Sequence, residues 1–429
     1  MLITFSVENF RSIRDLQTLS MAEPRLDHRL ESSHVIEAGN RRLLKTAAIF
    51  GPNASGKSNV LQAMAALRNF VLNSSRESQA GESINNQPFR LSTVKEKAPT
   101  HFEIEFLLDA FEYRYGFEVT RKKVESEWLF RKLPSAKAAK LFTRKDSRYD
   151  ISSEFFKEGK GLEKRTRENA LFLSACAQLN VPEAAKIIKW MQHFRWVSGL
   201  SEEGFYLFTA ERLGRPGYKD KLLELAQKAN FNISALHSEI KKVTEAKLPA
   251  DMPHDLRRLL LGKKFLEASI KTTHEKRDAK GKIVGRVEFD LNDDESQGTQ
   301  KFIALSGPII HTLEQGSILV VDELETRLHP LLTRAIVDLF HSPANRKNAQ
   351  LVFAAHDVTL LDPERFRRDQ VWFTEIDESG ATDLYSLADF EPSQVRPDSK
   401  FWRQYLIGLF GAVPKLAHFQ EAAEHATRD

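Results

Sequence analysis

The stretch IFGPNASGKSNVLQAM, residues 49–64, decides how the rest of the chain is interpreted. Residues 51–58 match the pattern G-x-x-x-x-G-K-[ST], in which backbone N–H groups surround phosphates, the lysine contacts the β- and γ-phosphates and the hydroxyl binds Mg²⁺. The apolar run 43–50 before the loop predicts a buried strand, and apolar residues recur after it at helical spacing. Because free N–H groups and the helix dipole both face the loop, this strand, turn and helix predict a nucleotide phosphate site. Its expected residues are Gly51, Pro52, Asn53, Ala54, Ser55, Gly56, Lys57, Ser58 and Asn59.

Composition points to a globular chain of two or three domains, since 41% of its 429 residues are hydrophobic and 10% are aromatic. The single cysteine, Cys176, excludes a disulfide within the chain and lies in an apolar run, which favours a buried structural thiol. No apolar window is long enough to span a membrane, and the N-terminal residues alternate like a strand. We therefore expect a cytoplasmic protein without a membrane partner.

The net charge of +4 is too small to indicate nucleic-acid binding by itself. Its distribution is uneven, because residues 205–290 hold 18 lysines and arginines against 12 aspartates and glutamates. This basic excess favours contact with nucleic acid or with an acidic partner. A solvated helical surface is the alternative.

Periodicity divides the chain into three predicted regions and indicates an α/β fold with a mixed sheet. Residues 1–120 alternate like strands around the phosphate loop, with a hairpin over 101–119. Helical spacing appears at 181–194 and 219–228, and a second hairpin is expected near the turn 278–281. The distance along the chain from Lys57 to Asp322 is too long for one compact αβ unit. Residues 121–290 are therefore predicted to be a mainly helical insertion or lid between an N-terminal lobe, 1–120, and a C-terminal lobe, 291–429.

The stretch SILVVDE, residues 317–323, reads as a buried strand that ends in two acids. Asp322 is suited to hold Mg²⁺, and Glu323 is suited to orient and polarise the attacking water. An ordinary strand end with solvated acids is the alternative. Further along, residues 350–355 predict another buried strand, after which His356 can donate to the γ-phosphate while Asp357 fixes its tautomer. A purely structural histidine is the alternative here.

A polar loop, residues 294–301, precedes an apolar helical run. The helix that it begins presents a second N-terminus able to accept an anion. A simple serine N-cap explains the same pattern, and the sequence leaves both readings open.

The order of a phosphate loop, SQGT before an apolar helix, LVVDE and then AAHD resembles ABC-type ATPases of the SMC and break-repair kind. More closely, the chain resembles the AAA family ATPases of prokaryotic anti-phage defence operons, the abortive-infection AbiL/RloA-like group, which is related to the overcoming-lysogenisation (OLD) type. The similar segments are spread over most of the chain and include MLITFSVENFRSI, GPNASGKSN, RENALFLSACAQLN, VVDELETRLHP and YLIGLFGAVP.

This resemblance implies an ABC-ATPase-like P-loop fold, ATP with Mg²⁺ as cofactors, and a homodimer or higher homo-oligomer. Ser296, Gly298 and Thr299 would contact the ATP held by the other subunit, and Arg11 would approach the nucleotide from the first strand. Lys57 and Ser58 would act on phosphates and Mg²⁺. Asp322 would also hold Mg²⁺, with Glu323 as the catalytic base and His356 as the switch.

The chain also departs from the pattern of those ATPases. Gln297 stands where the signature loop usually has a glycine, so the backbone would approach the phosphate less closely. Their lid glutamine has two candidates, Gln87 and Glu127, and the sequence does not decide between them. Because 73 residues follow His356 in this sequence, we expect no Toprim nuclease domain there.

Function is therefore predicted as ATP binding and hydrolysis by the sensor or regulatory subunit of an anti-phage system that controls a separate effector, a nuclease or toxin. One alternative is an SMC-like ATPase that repairs or loads DNA. Another is a scaffold that ATP stabilises and that scarcely turns over.

Overall fold

The computed structural model describes residues 1–24, 30–77, 79–133, 136–198, 203–242, 266–391, 395 and 400–414. Residues 243–265 of the predicted insertion and residues 415–429 of the predicted C-terminal lobe lie outside the described residues. The strands are β1 (Leu2–Glu8), β2 (Gln17–Ser20), β3 (Val35–Ala38), β4 (Arg41–Leu44), β5 (Thr46–Phe50), β6 (Thr100–Leu108), β7 (Phe111–Val119), β8 (Val124–Lys132), β9 (Ala139–Lys145), β10 (Arg148–Ile151), β11 (Phe194–Ser198), β12 (Ala235–Lys242), β13 (Leu266–Arg277), β14 (Ile283–Asp290), β15 (Ile318–Asp322), β16 (Gln350–Ala354), β17 (Val371–Ile376) and β18 (Thr382–Ser386).

The α-helices are α1 (Glu31–His34), α2 (Lys57–Asn73), α3 (Phe172–Gln178), α4 (Pro182–Gln192), α5 (Glu203–Leu213), α6 (Tyr218–Lys228), α7 (Gln297–Gln315), α8 (Pro330–His341) and α9 (Phe401–Leu406). The chain folds into two compact units. Unit 1 comprises residues 1–196 and 350–429, and unit 2 comprises residues 197–349.

An antiparallel sheet with the strand order β10-β9-β8-β7-β6-β1-β2 forms one layer of unit 1. Strands β1 and β6 largely alternate buried and partly buried residues, as expected of a sheet with one face on the core. Aromatic side chains fill that core, and Phe106 stacks on both Tyr113 and Trp190 with ring centroids 5.3 and 4.0 Å apart. The predicted hairpin over 101–119 is confirmed as β6 and β7.

Parallel strands position the phosphate loop in unit 1. β5 is entirely buried and pairs in parallel with β16 on one side and with β17 on the other, and β18 continues antiparallel to β17. The predicted strand 43–50 is shorter than expected, because Leu43 and Leu44 belong to β4, which pairs with β3. β5 therefore begins only at Thr46.

Unit 2 contains an antiparallel meander, β12-β13-β14, and a group of helices packed around α7. Helix α7 is largely buried and is fixed by Thr209, whose hydroxyl donates to the carbonyl of Ala304 at 2.6 Å. Strand β15 has no exposed residue, and α8 begins at Pro330 with His329 as its N-cap. The predicted second hairpin is confirmed as β13 and β14.

The compact units do not coincide with the predicted three-part division. Residues 121–196 belong to unit 1, where β8, β9 and β10 extend the antiparallel sheet. The described part of residues 121–290 accordingly contains several strands beside helices α3 to α6. The mixed α/β class itself is confirmed.

Candidate nucleotide-binding site

The phosphate loop connects the buried end of β5 to the first turn of α2. Gly56 is the N-cap of α2 and has a left-handed backbone with φ of 102°, a conformation that glycine adopts at low cost. Ala54 is also left-handed, with φ of 63°. The loop thus turns sharply enough for α2 to begin directly above the carboxyl end of β5.

Two threonines of β17 and β18 leave no room for side chains on the loop glycines. A Cβ on Gly51 would lie 2.5 Å from the carbonyl oxygen of Thr374, and a Cβ on Gly56 would lie 2.0 Å from Oγ1 of Thr382. Both separations are far below van der Waals contact. Glycine is therefore required at both positions for steric reasons.

Lys57 is almost fully buried at the start of α2. Its Nζ donates to the carbonyls of Gly51 at 2.8 Å and of Pro52 at 2.9 Å, so the ammonium group curls back over the loop. Ser58 follows it and is half-buried. One cation, one hydroxyl and a helix N-terminus are thus gathered at this loop, as binding of a polyphosphate requires.

The hydroxyl groups of Ser12, Thr374 and Thr382, which the sequence did not point to, support the loop at Ser55 and Asn59. Ser55 Oγ and Thr374 Oγ1 are 2.6 Å apart, and Thr382 Oγ1 donates to the Ser55 carbonyl at 3.1 Å. Ser12 Oγ lies 2.7 Å from Thr382 Oγ1 and accepts from Asn59 Nδ2 at 2.6 Å. No local motif signals these contacts, because the partners come from distant parts of the chain.

A pocket of about 980 Å³ opens beside the loop. His356 lies at its edge and is exposed, immediately after β16 and Ala355. The neighbouring Asp357 accepts the N–H of Thr359 and begins a short 3₁₀ turn. Other residues of the lining are Ser12, Gly51, Pro52, Asn53, Ala54, Ser55, Val358, Glu375, Ile376, Gly380, Tyr405, Leu406, Val413 and Pro414. Unit 1 therefore brings the loop and the predicted switch histidine together.

Arg11 does not line that pocket. It lies in the turn after β1 with φ of 50°, its Nε donates to Oε1 of Gln87 at 2.6 Å, and burial lowers the pKa of its guanidinium. Both residues line a separate pocket along α2. Approach of Arg11 to a nucleotide stays a prediction.

The two lid candidates differ sharply in environment. Glu127 is fully buried in β8, and its carboxylate accepts the N–H groups of Phe172 at 2.6 Å and Leu173 at 3.0 Å at the start of α3. Burial raises the pKa of this carboxyl group. Gln87 is half-buried and contacts Arg11. Gln87 also lines the pocket along α2, and its role as the lid residue stays a prediction.

In unit 2 the two predicted acids follow each other at the end of β15. Asp322 is 6% exposed, whereas Glu323 is half-buried with a left-handed φ of 52°. Oε2 of Glu323 accepts the hydroxyl of Thr326 at 3.0 Å. A left-handed backbone is unusual for a residue other than glycine and marks the point where the chain leaves β15.

Ser296 is the N-cap of α7, and its Oγ accepts the N–H of Thr299 at 3.2 Å. Gly298 lies so close to the turn after Glu323 that an added Cβ would be 3.0 Å from the carbonyl oxygen of Arg327. The serine cap that the sequence left open as an alternative is therefore present. An anion at this helix start stays a prediction.

Side chains with oxygen atoms of the type that Mg²⁺ binds lie at both predicted positions, Ser58 in unit 1 and Asp322 in unit 2. Mg²⁺ prefers oxygen ligands and is usually bound by one or two carboxylates together with substrate phosphates. Within the described ranges no three His, Cys, Asp or Glu side chains are grouped as a metal site of their own. Binding of Mg²⁺ by Ser58 and Asp322 stays a prediction.

Fold and loop together define a P-loop nucleotide-binding protein. A family model described as "AAA domain, putative AbiEii toxin, Type IV TA system" matches residues 47–362. The chain belongs to this AAA family. The matched residues include the phosphate loop, the two acids at the end of β15, and His356. The resemblance to AAA-type ATPases inferred from the sequence is confirmed at this level.

Solved structures of moderate to low similarity include an SMC head domain from Thermotoga maritima, 12% identical over 90% of this chain and 98% of that chain with a TM-score of 0.41. A structure of the recombination mediator protein RecF with ATPrS is 13% identical over 90% and 98% of the two chains, with a TM-score of 0.30. We draw no conclusion on function from these similarities. No curated protein matches the chain. Among the helices of the described residues, none has the length and apolar character to cross a membrane.

Proposed function

We propose that this protein binds and hydrolyses ATP, and that this cycle controls a separate effector, a nuclease or toxin, in defence against phage. The observation that carries the ATP-dependent part is the phosphate loop, in which Lys57 is buried over the loop carbonyls and both glycines are sterically required. The second part, control of a separate effector, rests on the resemblance of the sequence segments to the ATPases of defence operons.

Each proposed role follows from the chemistry of its side chain. Lys57 neutralises phosphate charge, and the N–H groups at the start of α2 donate to phosphate oxygens. Ser58 and Asp322 hold Mg²⁺, which when bound neutralises charge on the β- and γ-phosphates. Glu323 accepts a proton from the attacking water, and His356 donates a hydrogen bond to the γ-phosphate.

We further propose that two copies of the chain assemble head to tail. Ser296, Gly298 and Thr299 at the start of α7 would then contact the ATP of the other copy with N–H groups and hydroxyls. This assembly rests on the resemblance to ABC-type ATPases, since the serine cap of α7 explains the same residues without a ligand. Hydrolysis would depend on assembly, which is a property expected of a sensor.

A first experiment tests the enzyme. Lys57→Ala should abolish binding of a fluorescent ATP analogue, whereas Glu323→Gln should keep binding and reduce turnover by about 10²–10⁴-fold, the usual contribution of a general base. Lys122→Ala and Glu96→Gln, at exposed positions, are the matched controls. Wild-type turnover in Glu323→Gln would remove that residue from its role.

A second experiment tests the biology. The chain is expressed with its neighbouring genes, phage plating is measured, and proteins that co-purify are identified for wild type, Lys57→Ala and Glu96→Gln. Loss of protection in Lys57→Ala alone, with a nuclease or toxin among the co-purifying proteins, is the expected result. Undiminished protection in Lys57→Ala would refute control by ATP. ATP turnover stimulated by double-stranded DNA, with a steep dependence on salt, would instead favour a DNA-loading ATPase.

A further inference from the structure

Three side chains and one carbonyl of the phosphate loop form a continuous chain of hydrogen bonds. It runs from Asn59 on α2 through Ser12 and Thr382 to the carbonyl of Ser55 in the loop, with distances of 2.6, 2.7 and 3.1 Å. The carbonyl and the Thr382 side chain are buried. Such a chain is sensitive to the loss of any member, since a buried polar group without a partner is costly.

The donors in this chain can be assigned from its two ends. The Ser55 carbonyl can only accept, so the hydroxyl hydrogen of Thr382 is directed to it. Ser12 must then donate to Thr382 Oγ1, and the Asn59 amide N–H donates to Ser12 Oγ. Each hydroxyl thus donates once and accepts once, and the arrangement fixes the orientation of the loop carbonyl.

Thr382 also contacts the loop through its shape. Its Oγ1 and Cγ2 would lie 2.0 and 2.7 Å from a Cβ on Gly56, so the side chain fills the space directly below the N-cap of α2. Thr374 contacts the same residue through Ser55 Oγ at 2.6 Å, and at the other end of the loop its carbonyl oxygen would lie 2.5 Å from a Cβ on Gly51. The loop is therefore held in place by β17 and β18 as well as by β5 and α2.

Ser12 connects this support to the antiparallel sheet. It lies in the turn between β1 and β2, and its carbonyl accepts the N–H of Thr382 at 2.8 Å. Two residues on, Arg14 pairs with Asp377, in the turn between β17 and β18, at 3.2 Å. A shift of the β1–β2 turn relative to β18 would therefore break the series of hydrogen bonds that ends on the Ser55 carbonyl of the loop.

We infer that Thr382 is a positioning residue for the phosphate loop and that Ser12 makes nucleotide affinity depend on the β1–β2 turn. This inference rests on the proposed nucleotide binding. It assigns a functional role to two hydroxyls: Thr382 donates to the Ser55 carbonyl of the loop, and Ser12 holds Thr382 in that position.

The test uses one position with two substitutions. Thr382→Val keeps the shape and removes the hydroxyl, whereas Thr382→Ser keeps the hydroxyl and removes the methyl group. Thr382→Val should raise the Kd of a fluorescent ATP analogue about tenfold, which corresponds to one buried hydrogen bond lost. Thr382→Ser should stay within about threefold of wild type, and Ser12→Ala should raise Kd in the same direction as Thr382→Val. Thr333→Val, a fully buried threonine of α8, is the matched control.

Kinetics and stability complete the test. KM should rise in Thr382→Val while kcat is kept, because the loop holds phosphates equally in the ground and transition states. A lower Tm with unchanged Kd in Thr382→Val and Ser12→Ala would overturn the inference, leaving only a structural role. A wild-type protein that binds no nucleotide would refute the proposed function itself, which is a distinguishable result. Ser12→Ala, in the middle of the hydrogen-bond chain, keeps the inference falsifiable should Thr382→Val fail to fold.

Discussion

Replacing Glu127 by glutamine probes whether this residue supports the fold or acts on the nucleotide. The carboxylate is fully buried and receives the N–H groups of Phe172 and Leu173, the hydroxyl of Tyr115 at 3.0 Å, and the charge of Arg144, whose Nη1 is 3.9 Å away. Glutamine has the same shape but only one oxygen. Its NH₂ group must therefore face at least one donor that the carboxylate accepted.

The cost can be worked out from these contacts. One N–H at the start of α3 loses its acceptor, which costs about 1–3 kcal/mol. Arg144 loses its counter-charge, although it still donates to the carbonyls of Asp146, Glu168 and Ala170. Part of this is offset, because burial raises the pKa of Glu127 and so disfavours the charge in the wild type. We expect Glu127→Gln to destabilise unit 1 by about 2–4 kcal/mol.

Hydrogen exchange gives the local readout. Amides at the start of α3 should exchange faster in Glu127→Gln, by about 30–1000-fold if exchange follows local opening. Glu96→Gln, exposed on a 3₁₀ turn, should match wild type within about 0.5 kcal/mol in urea titrations. The affinity for an ATP analogue should not change. Wild-type stability combined with a Kd raised tenfold or more would refute this reasoning and make Glu127 the lid residue.

Three further predictions concern single residues. Gly298→Asp should suppress turnover but leave nucleotide affinity of the isolated chain intact; heterodimers with Lys57→Ala should recover activity from one intact composite site, and complete inactivity of proven heterodimers would contradict sharing between subunits. Arg367→Met should destabilise the protein by about 3–5 kcal/mol in urea titrations, because it strands the buried carboxylates that pair with Arg367; a change below about 1 kcal/mol would count against the pairing. His34 is buried, which lowers its pKa, so the unfolded chain binds more protons below pH 6.5 and stability should fall as pH drops from 6.5. His34→Gln should flatten that decline, and an unchanged slope would exclude His34 as its source.

Local patterns were sufficient to predict most of the elements that carry candidate chemistry. The phosphate loop between β5 and α2, the acids at the end of β15 and the histidine after β16 all follow from short motifs at strand ends. Hairpins β6–β7 and β13–β14 follow from alternation on either side of a turn. These features are encoded within a few residues, so one sequence is enough to recognise them.

The sequence by itself thus determined a P-loop chain of mixed α/β class and its candidate residues, while only the tertiary structure decided what surrounds them. Thr382 and Ser55 are 327 residues apart in the chain, and no periodicity predicts that one supports the other. The sequence did not distinguish Glu127 from Gln87 as the lid residue, whereas in the structure Glu127 is fully buried and Gln87 is half-buried. One apolar run is likewise divided between two strands, because β4 pairs with β3 and ends at Leu44, whereas β5 pairs with β16 and begins at Thr46. The physical reason is common to all three cases: pairing and burial depend on residues distant in sequence, whereas a motif specifies only its own neighbourhood.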